Sequence, residues 1–175
     1  MKLSRSYFER RISQQVEALE RDSRFSETRG FIQHGEVSVF VHCVCVAYLS
    51  CCIMRFFNIK ANLTALILGA LLHDYFLYDW HDGDPSRKIH GFTHPFKACA
   101  NAKEDFELTD MEENIIKRHM FPLVPIPPKY REAWIVCIAD KICATEESTK
   151  GRCGGRKMEF AERLLAREID RINHE

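Results

Sequence analysis

Four histidines and two aspartates stand in an order that could do metal chemistry: His42, the pair His73-Asp74, His94, His119 and Asp140. Each lies in an apolar or helix-like setting: FVHCVC, LLHDYF, GFTHPF, IIKRHMF and VCIADKI. A buried charge without a partner is costly. A cation is the partner that uses imidazole and carboxylate together, and an aspartate can bridge two cations. His73-Asp74 closes the run from Leu63 to His73, in which Thr64 is the sole polar side chain before the histidine, so the run reads as a helix buried on most sides. Alone, the dipeptide also reads as an ordinary helix C-terminus, with Asp74 leaving the core and His73 bonded to a carbonyl. His42 alone reads as a core histidine bonded to backbone. The ordered set of six shifts the balance to a metal.

The order H…HD…H…H…D resembles the HD-domain superfamily of metal-dependent phosphohydrolases, over roughly Gly30 to Ala144. The form with two extra histidines is similar to the two-metal branch, which includes cyclic-dinucleotide phosphodiesterases and symmetrical dinucleoside-tetraphosphate hydrolases. The resemblance implies an all-α fold, with ligands from several helices meeting at one cleft. It implies a first metal on His42, His73, Asp74 and Asp140, and a second on His94 and His119, with Asp74 bridging and positioning the attacking water. The expected function is a two-metal phosphohydrolase or phosphodiesterase cleaving a nucleotide or other small phosphoester by a metal-activated water. The alternative is a catalytically weak regulatory module that keeps the fold and binds metal or nucleotide. Ligands of imidazole and carboxylate without thiolate favour Fe or Mn, with Zn, Co and Ni as further fits for the two divalent ions.

The chain departs from the family pattern at Leu77, where many relatives carry a lysine or arginine. The grip on phosphate is therefore expected from Arg118, Lys141 or Lys88, with His34 at the cleft mouth. The glycine-tyrosine-proline signature of one cyclic-dinucleotide branch is absent. Asp79, His81, Asp82, Asp84 and His90 crowd the segment from Tyr75 to Phe92, but without regular spacing they read as a loop with turn chemistry at Asp82-Gly83 and Asp84-Pro85.

Zero net charge offers no overall field for nucleic acid or an anionic membrane. With 46% hydrophobic residues the 175-residue chain is globular. It reads as a single domain over residues 1–175, its core about 30–144, with amphipathic N- and C-terminal helices packed on it. The eight cysteines fall mostly in apolar helix-like stretches without a CxxC pair, and so read as reduced core thiols. The charged N-terminus MKLSRSYFERR has no apolar run of a signal peptide, and a cytoplasmic protein is expected. The expected partner is a small phosphoester or nucleotide. Membrane and nucleic acid are not expected partners, and no element sets an oligomeric state.

Six or seven helices must position these residues. Phe8, Ile12, Val16 and Leu19 form the stripe of the first. The second, Glu36 to Phe57, is apolar enough to suggest a membrane span, but His42, Ser38 and Ser50 argue for a central buried helix. Asn62 caps the third. Pro95 suits the first turn of a fourth helix starting at His94. Thr109 and Glu112 form a capping box for the fifth, which carries His119 on the face of Ile115 and Ile116. The proline-rich FPLVPIPPKY is a rigid connection. Trp134, Ile135, Ile138 and Ile142 are expected to line the buried side of the sixth, around Asp140. A glycine-rich basic loop, KGRCGGRK, precedes the last helix. No segment carries a strand-like alternation with hairpin signals.

Overall fold

A computed structural model describes residues 3–21, 23–80 and 89–172. Helix α2 (Val39–Phe56) runs through the middle, with α1 (Arg5–Arg21), α3 (Leu63–Leu72), α6 (Arg131–Lys150) and α7 (Arg156–Ile172) packed around it. Helices α4 (His90–Asp105) and α5 (Asp110–Arg118) complete an all-α bundle, with α5 against α3, α4 and α6. The sequence pattern accounts for most of this. Phe8, Ile12, Val16 and Leu19 all face inward on α1. α2 is apolar nearly all round because 72% of it is buried inside the bundle, although its length and composition would suffice to cross a membrane.

The helix ends follow side-chain chemistry. The Ser38, Asn62 and Thr109 side chains accept from the backbone N–H groups of Val41, Ala65 and Glu112. Glu112 reaches back to the Thr109 N–H at 2.8 Å and closes the capping box. α2 stops where Asn58 turns left-handed (φ 53°), and α6 where Gly151 does (φ 73°). α3 and α6 are tied at their starts by the Asn62 N–H, which donates to Glu132 at 2.7 Å. Gly69 on α3 lets Ile115 of α5 approach so closely that a Cβ there would lie 2.6 Å from its Cδ1.

Three expectations need correction. A short antiparallel hairpin, β1 (Ile32–His34) with β2 (Val37–Ser38), precedes α2 and turns on Gly35 (φ 59°). Strands of three and two residues are too short to show an alternation. α4 starts a turn before His94, at His90, so Pro95 lies inside the helix and forgoes one backbone hydrogen bond. On α6, Ile135 is buried, but Trp134, Ile138 and Ile142 are two-fifths to half exposed. The inward face is set instead by Val136, Ala139, Asp140, Cys143 and Glu147. Turning Asp140 and Glu147 inward, seven residues and two turns apart, leaves the apolar row at 134, 138 and 142 on the outside. All eight cysteines are free thiols, and all but Cys52 are buried.

Candidate metal centre

His42 projects from the second turn of α2, while His73 and Asp74 follow the last turn of α3. His94 lies on α4, His119 caps α5 and Asp140 lies in the middle of α6. The six side chains meet at one point and are all buried. Their donor atoms fall into two groups that share Asp74, each group with all its atoms within 4.8 Å of one another. In the first, His42 Nε2 lies 3.2 Å from Asp140 Oδ1, and His73 Nε2 lies 3.3 Å from Asp74 Oδ2. In the second, Asp74 turns its other oxygen, Oδ1, to His94 Nε2 at 3.1 Å and to His119 Nε2 at 3.5 Å. Donors bound at about 2.0–2.2 Å to one cation stand about 3–3.5 Å from each other, which matches these separations.

The rings are oriented from behind. His73 Nδ1–H donates to the Ala70 carbonyl at 2.7 Å, His94 Nδ1–H to that of His90 at 2.9 Å, and His119 Nδ1–H to that of Ile116 at 2.8 Å. His42 Nδ1–H donates to the Glu147 carboxylate at 2.8 Å. A carbonyl can only accept, so a proton sits on each Nδ1 and each Nε2 points to the centre. His94 Nε2 and His119 Nε2 thereby face each other at 2.8 Å. Two lone pairs at that separation require a proton or a cation with them, and the donor set of four imidazoles and two carboxylates fits divalent metal.

Charge runs the same way. Burial would raise Asp74, but His73 and His94 hold it well below the usual carboxylate range. Asp140 is lowered too, its burial outweighed by His42 and His73. Burial and the neighbouring His73 push His119 down to about 3, so it is neutral at pH 7 and free to ligate. Burial favours neutral His42 and His73 as well, yet Glu147 at the one and Asp74 at the other raise both well above the ordinary histidine value.

Asp74, His94, His119 and Asp140 form the floor of a cavity of about 660 Å³. Its walls are Trp80, His90, Met120, Pro122 and Leu123, with Gln33 and Lys141 as further polar groups. Lys141 Nζ donates to the His119 carbonyl at 2.8 Å. Arg118 is not among the described residues that line the cavity. Lys88, with His81, Asp82 and Asp84, lies outside the described residues. His34 falls in β1, and its side chain is likewise outside what is described. Asp79 is exposed, whereas His90 is bonded to the Tyr78 hydroxyl at 2.8 Å and stacks between Trp80 and His94.

The sequence did not point to two residues. Gln33 Nε2–H donates to Asp74 Oδ2 at 2.6 Å, from the middle of β1, where no spacing marks it. Glu147 holds His42 and itself accepts from the Cys153 thiol at 3.0 Å. Its position two turns past Asp140 was the available signal. With this geometry in view, the HD domain family model matches residues 39–145 of the chain. No curated protein and no solved structure matches it.

Proposed function

We propose that this chain, which belongs to the HD domain family, cleaves a small phosphoester, such as a nucleotide, by metal-dependent hydrolysis. The family implies the superfamily of metal-dependent phosphohydrolases, and its members are generally hydrolases. The observation that carries the proposal is the pair of inward lone pairs on His94 and His119, 2.8 Å apart beside Asp74 Oδ1. His42, His73, Asp74 and Asp140 would hold one divalent ion, and Asp74, His94 and His119 a second. Fe or Mn suits the thiolate-free set best, and Zn, Co and Ni can also use it. Bound there, such a pair lowers the pKa of water to near neutrality and offsets charge on phosphoryl oxygens.

The chain's own residues supply the rest. Gln33 fixes the plane of the Asp74 carboxylate, so that its two oxygens serve the two positions. Lys141 carries three ammonium donors. The His119 carbonyl and Cys137 Sγ take two, leaving one for a phosphoryl oxygen at the cavity rim. Lys141 is therefore the preferred cation for the phosphate, ahead of Arg118. Met120, Pro122 and Leu123 shield the phosphate from bulk water.

The test is metal analysis of anaerobically purified protein, followed by assays against phosphodiesters and a nucleotide panel. About two transition-metal ions per chain are expected, in keeping with a two-metal site. Asp74→Ala should lose both ions and all turnover while staying folded. Activity near the parent level in Asp74→Ala would refute the assignment. No turnover across the panel with both ions bound would make the protein a metal-binding regulatory module.

A further inference from the structure

At the opposite end of α2 from His42, three arginines converge from three helices. Arg5 opens α1, Arg55 lies in the last turn of α2 and Arg156 opens α7. All three line one groove. By the α-helical rise, Arg55 lies about 20 Å along α2 from His42. Glu9 and Glu159 line the same groove, but Glu9 is already bonded to Arg163 at 3.4 Å. No carboxylate pairs with Arg5, Arg55 or Arg156 among the described residues. Two 17-residue helices, α1 and α7, begin at this groove, so both bring the positive ends of their dipoles to it.

Two further observations point to a ligand. The Tyr48 hydroxyl is buried, on a residue only 5% exposed, and finds no hydrogen-bond partner among the described residues. Tyr48, Cys52 and Arg55 lie at i, i+4 and i+7 on one face of α2, and Cys52 and Arg55 line the cavity that adjoins the groove. Beside the arginines, Phe56 and Phe57 stand 79% and 66% exposed, edge to face with ring centroids 4.9 Å apart. With Leu49 and Ile53 they wall an adjoining cavity of about 510 Å³ that shares Arg5 and Arg55. Two neighbouring phenyl rings in water form a stacking platform next to an anion site. A cavity of this size suits a small molecule.

We propose that this end of the bundle is a second binding site, for an aromatic organic phosphate of the nucleotide class. Arg5, Arg55 and Arg156 take the phosphate, and Phe56 and Phe57 take the planar base. Guanidinium forks match phosphate oxygens bidentately.

The experiment is hydrogen-exchange mass spectrometry on the metal-loaded protein with the non-hydrolysable α,β-methylene analogue of ADP. Affinities for the analogue, adenosine and inorganic phosphate are measured in parallel by calorimetry. Protection is expected at the start of α1, the end of α2 and the start of α7, separate from any at His94 and His119. Arg55→Ala/Arg156→Ala should abolish that protection and weaken this site about ten-fold or more. Protection around the metal centre should be unchanged. Phe56→Ser/Phe57→Ser should weaken the analogue but not inorganic phosphate. All four positions are exposed or half-buried, so the variants should fold, as checked by circular dichroism. Protection confined to the metal centre, or protection at these helix ends that survives in the arginine variant, would overturn the site. Arginine-dependent binding to phosphatidylglycerol vesicles without analogue protection would also overturn it, and would make this face a membrane contact.

Discussion

Glu147 reaches His42 from behind, its carboxylate 2.8 Å from Nδ1, with both residues buried. The contact fixes which nitrogen of His42 faces the centre. Glu147→Ala should weaken metal retention by about 10–100-fold, the range for lost support of a ligand. It should also cost about 1–3 kcal/mol of stability, because a buried N–H loses its acceptor. Glu147→Gln should recover much of both, since an amide oxygen can accept the same bond. Chelator competition and urea denaturation read the two effects.

Metal loading should release protons. In the metal-free chain His42 and His73 have raised pKa values, because Glu147, Asp140 and Asp74 outweigh the effect of burial. Both rings therefore keep a proton at neutral pH that a metal on Nε2 must displace. Affinity should rise as pH climbs above about 6.5 toward the raised folded values, and calorimetry in buffers of different ionisation enthalpy should detect the released protons. The metal-free chain should behave oppositely. Its stability from these two histidines is full below their unfolded value of about 6.5 and is lost as pH climbs through the raised folded values. A pH-independent affinity would contradict the protonated rings.

Gly69→Ala should destabilise the protein although alanine favours helix. The new Cβ would lie 2.6–2.9 Å from three atoms of Ile115. Overpacking of this kind costs about 1–3 kcal/mol. Ile115 lies one turn before His119 on α5, so the second metal position should be weakened more than the first. Metal stoichiometry and thermal unfolding together check it.

Arg24 makes a forked bond to Asp105, at 3.0 Å from both Nε and Nη2, and the Tyr75 hydroxyl donates to the same carboxylate at 2.6 Å. Burial would raise Asp105, but Arg24 and Tyr75 hold it below the usual range. Its contribution is thus present above the unfolded carboxylate pKa and lost as pH falls through the depressed folded value. Arg24→Ala should cost on the order of 1 kcal/mol at neutral pH, discounted because the side chain is 40% exposed. The difference from the parent should shrink in acid, as urea denaturation at both pH values would show.

The fold class was legible in the sequence because helix periodicity, caps and a capping box act locally. Asn62 and the Thr109–Glu112 pair begin helices where their side-chain chemistry says they should. The histidines and aspartates stood out because such groups inside apolar runs demand a partner. Gln33 was not legible because its role depends on the short strand β1 packing over Asp74, a contact across 41 residues. The inner face of α6 was misread because Trp134, Ile138 and Ile142 repeat every four residues as a core stripe does. Only the inward turn of Asp140 and Glu147 shows that the row lies outside. The hairpin of Ile32–His34 was too short to leave a pattern.

The bond between His42 and Glu147 spans 105 residues, and the approach of His42 to Asp140 spans 98. Protein synthesis is directional, so this distance along the chain is also an interval of time. At translation rates of about 5–20 residues per second, His42 leaves the ribosome roughly 5–20 s before its last partners. For most of that interval α2, the most apolar long helix of the bundle, lacks α6, and for all of it α7. The nascent α2 thus keeps apolar surface in water for that interval, and the centre around His42 closes only once α6 has followed it out.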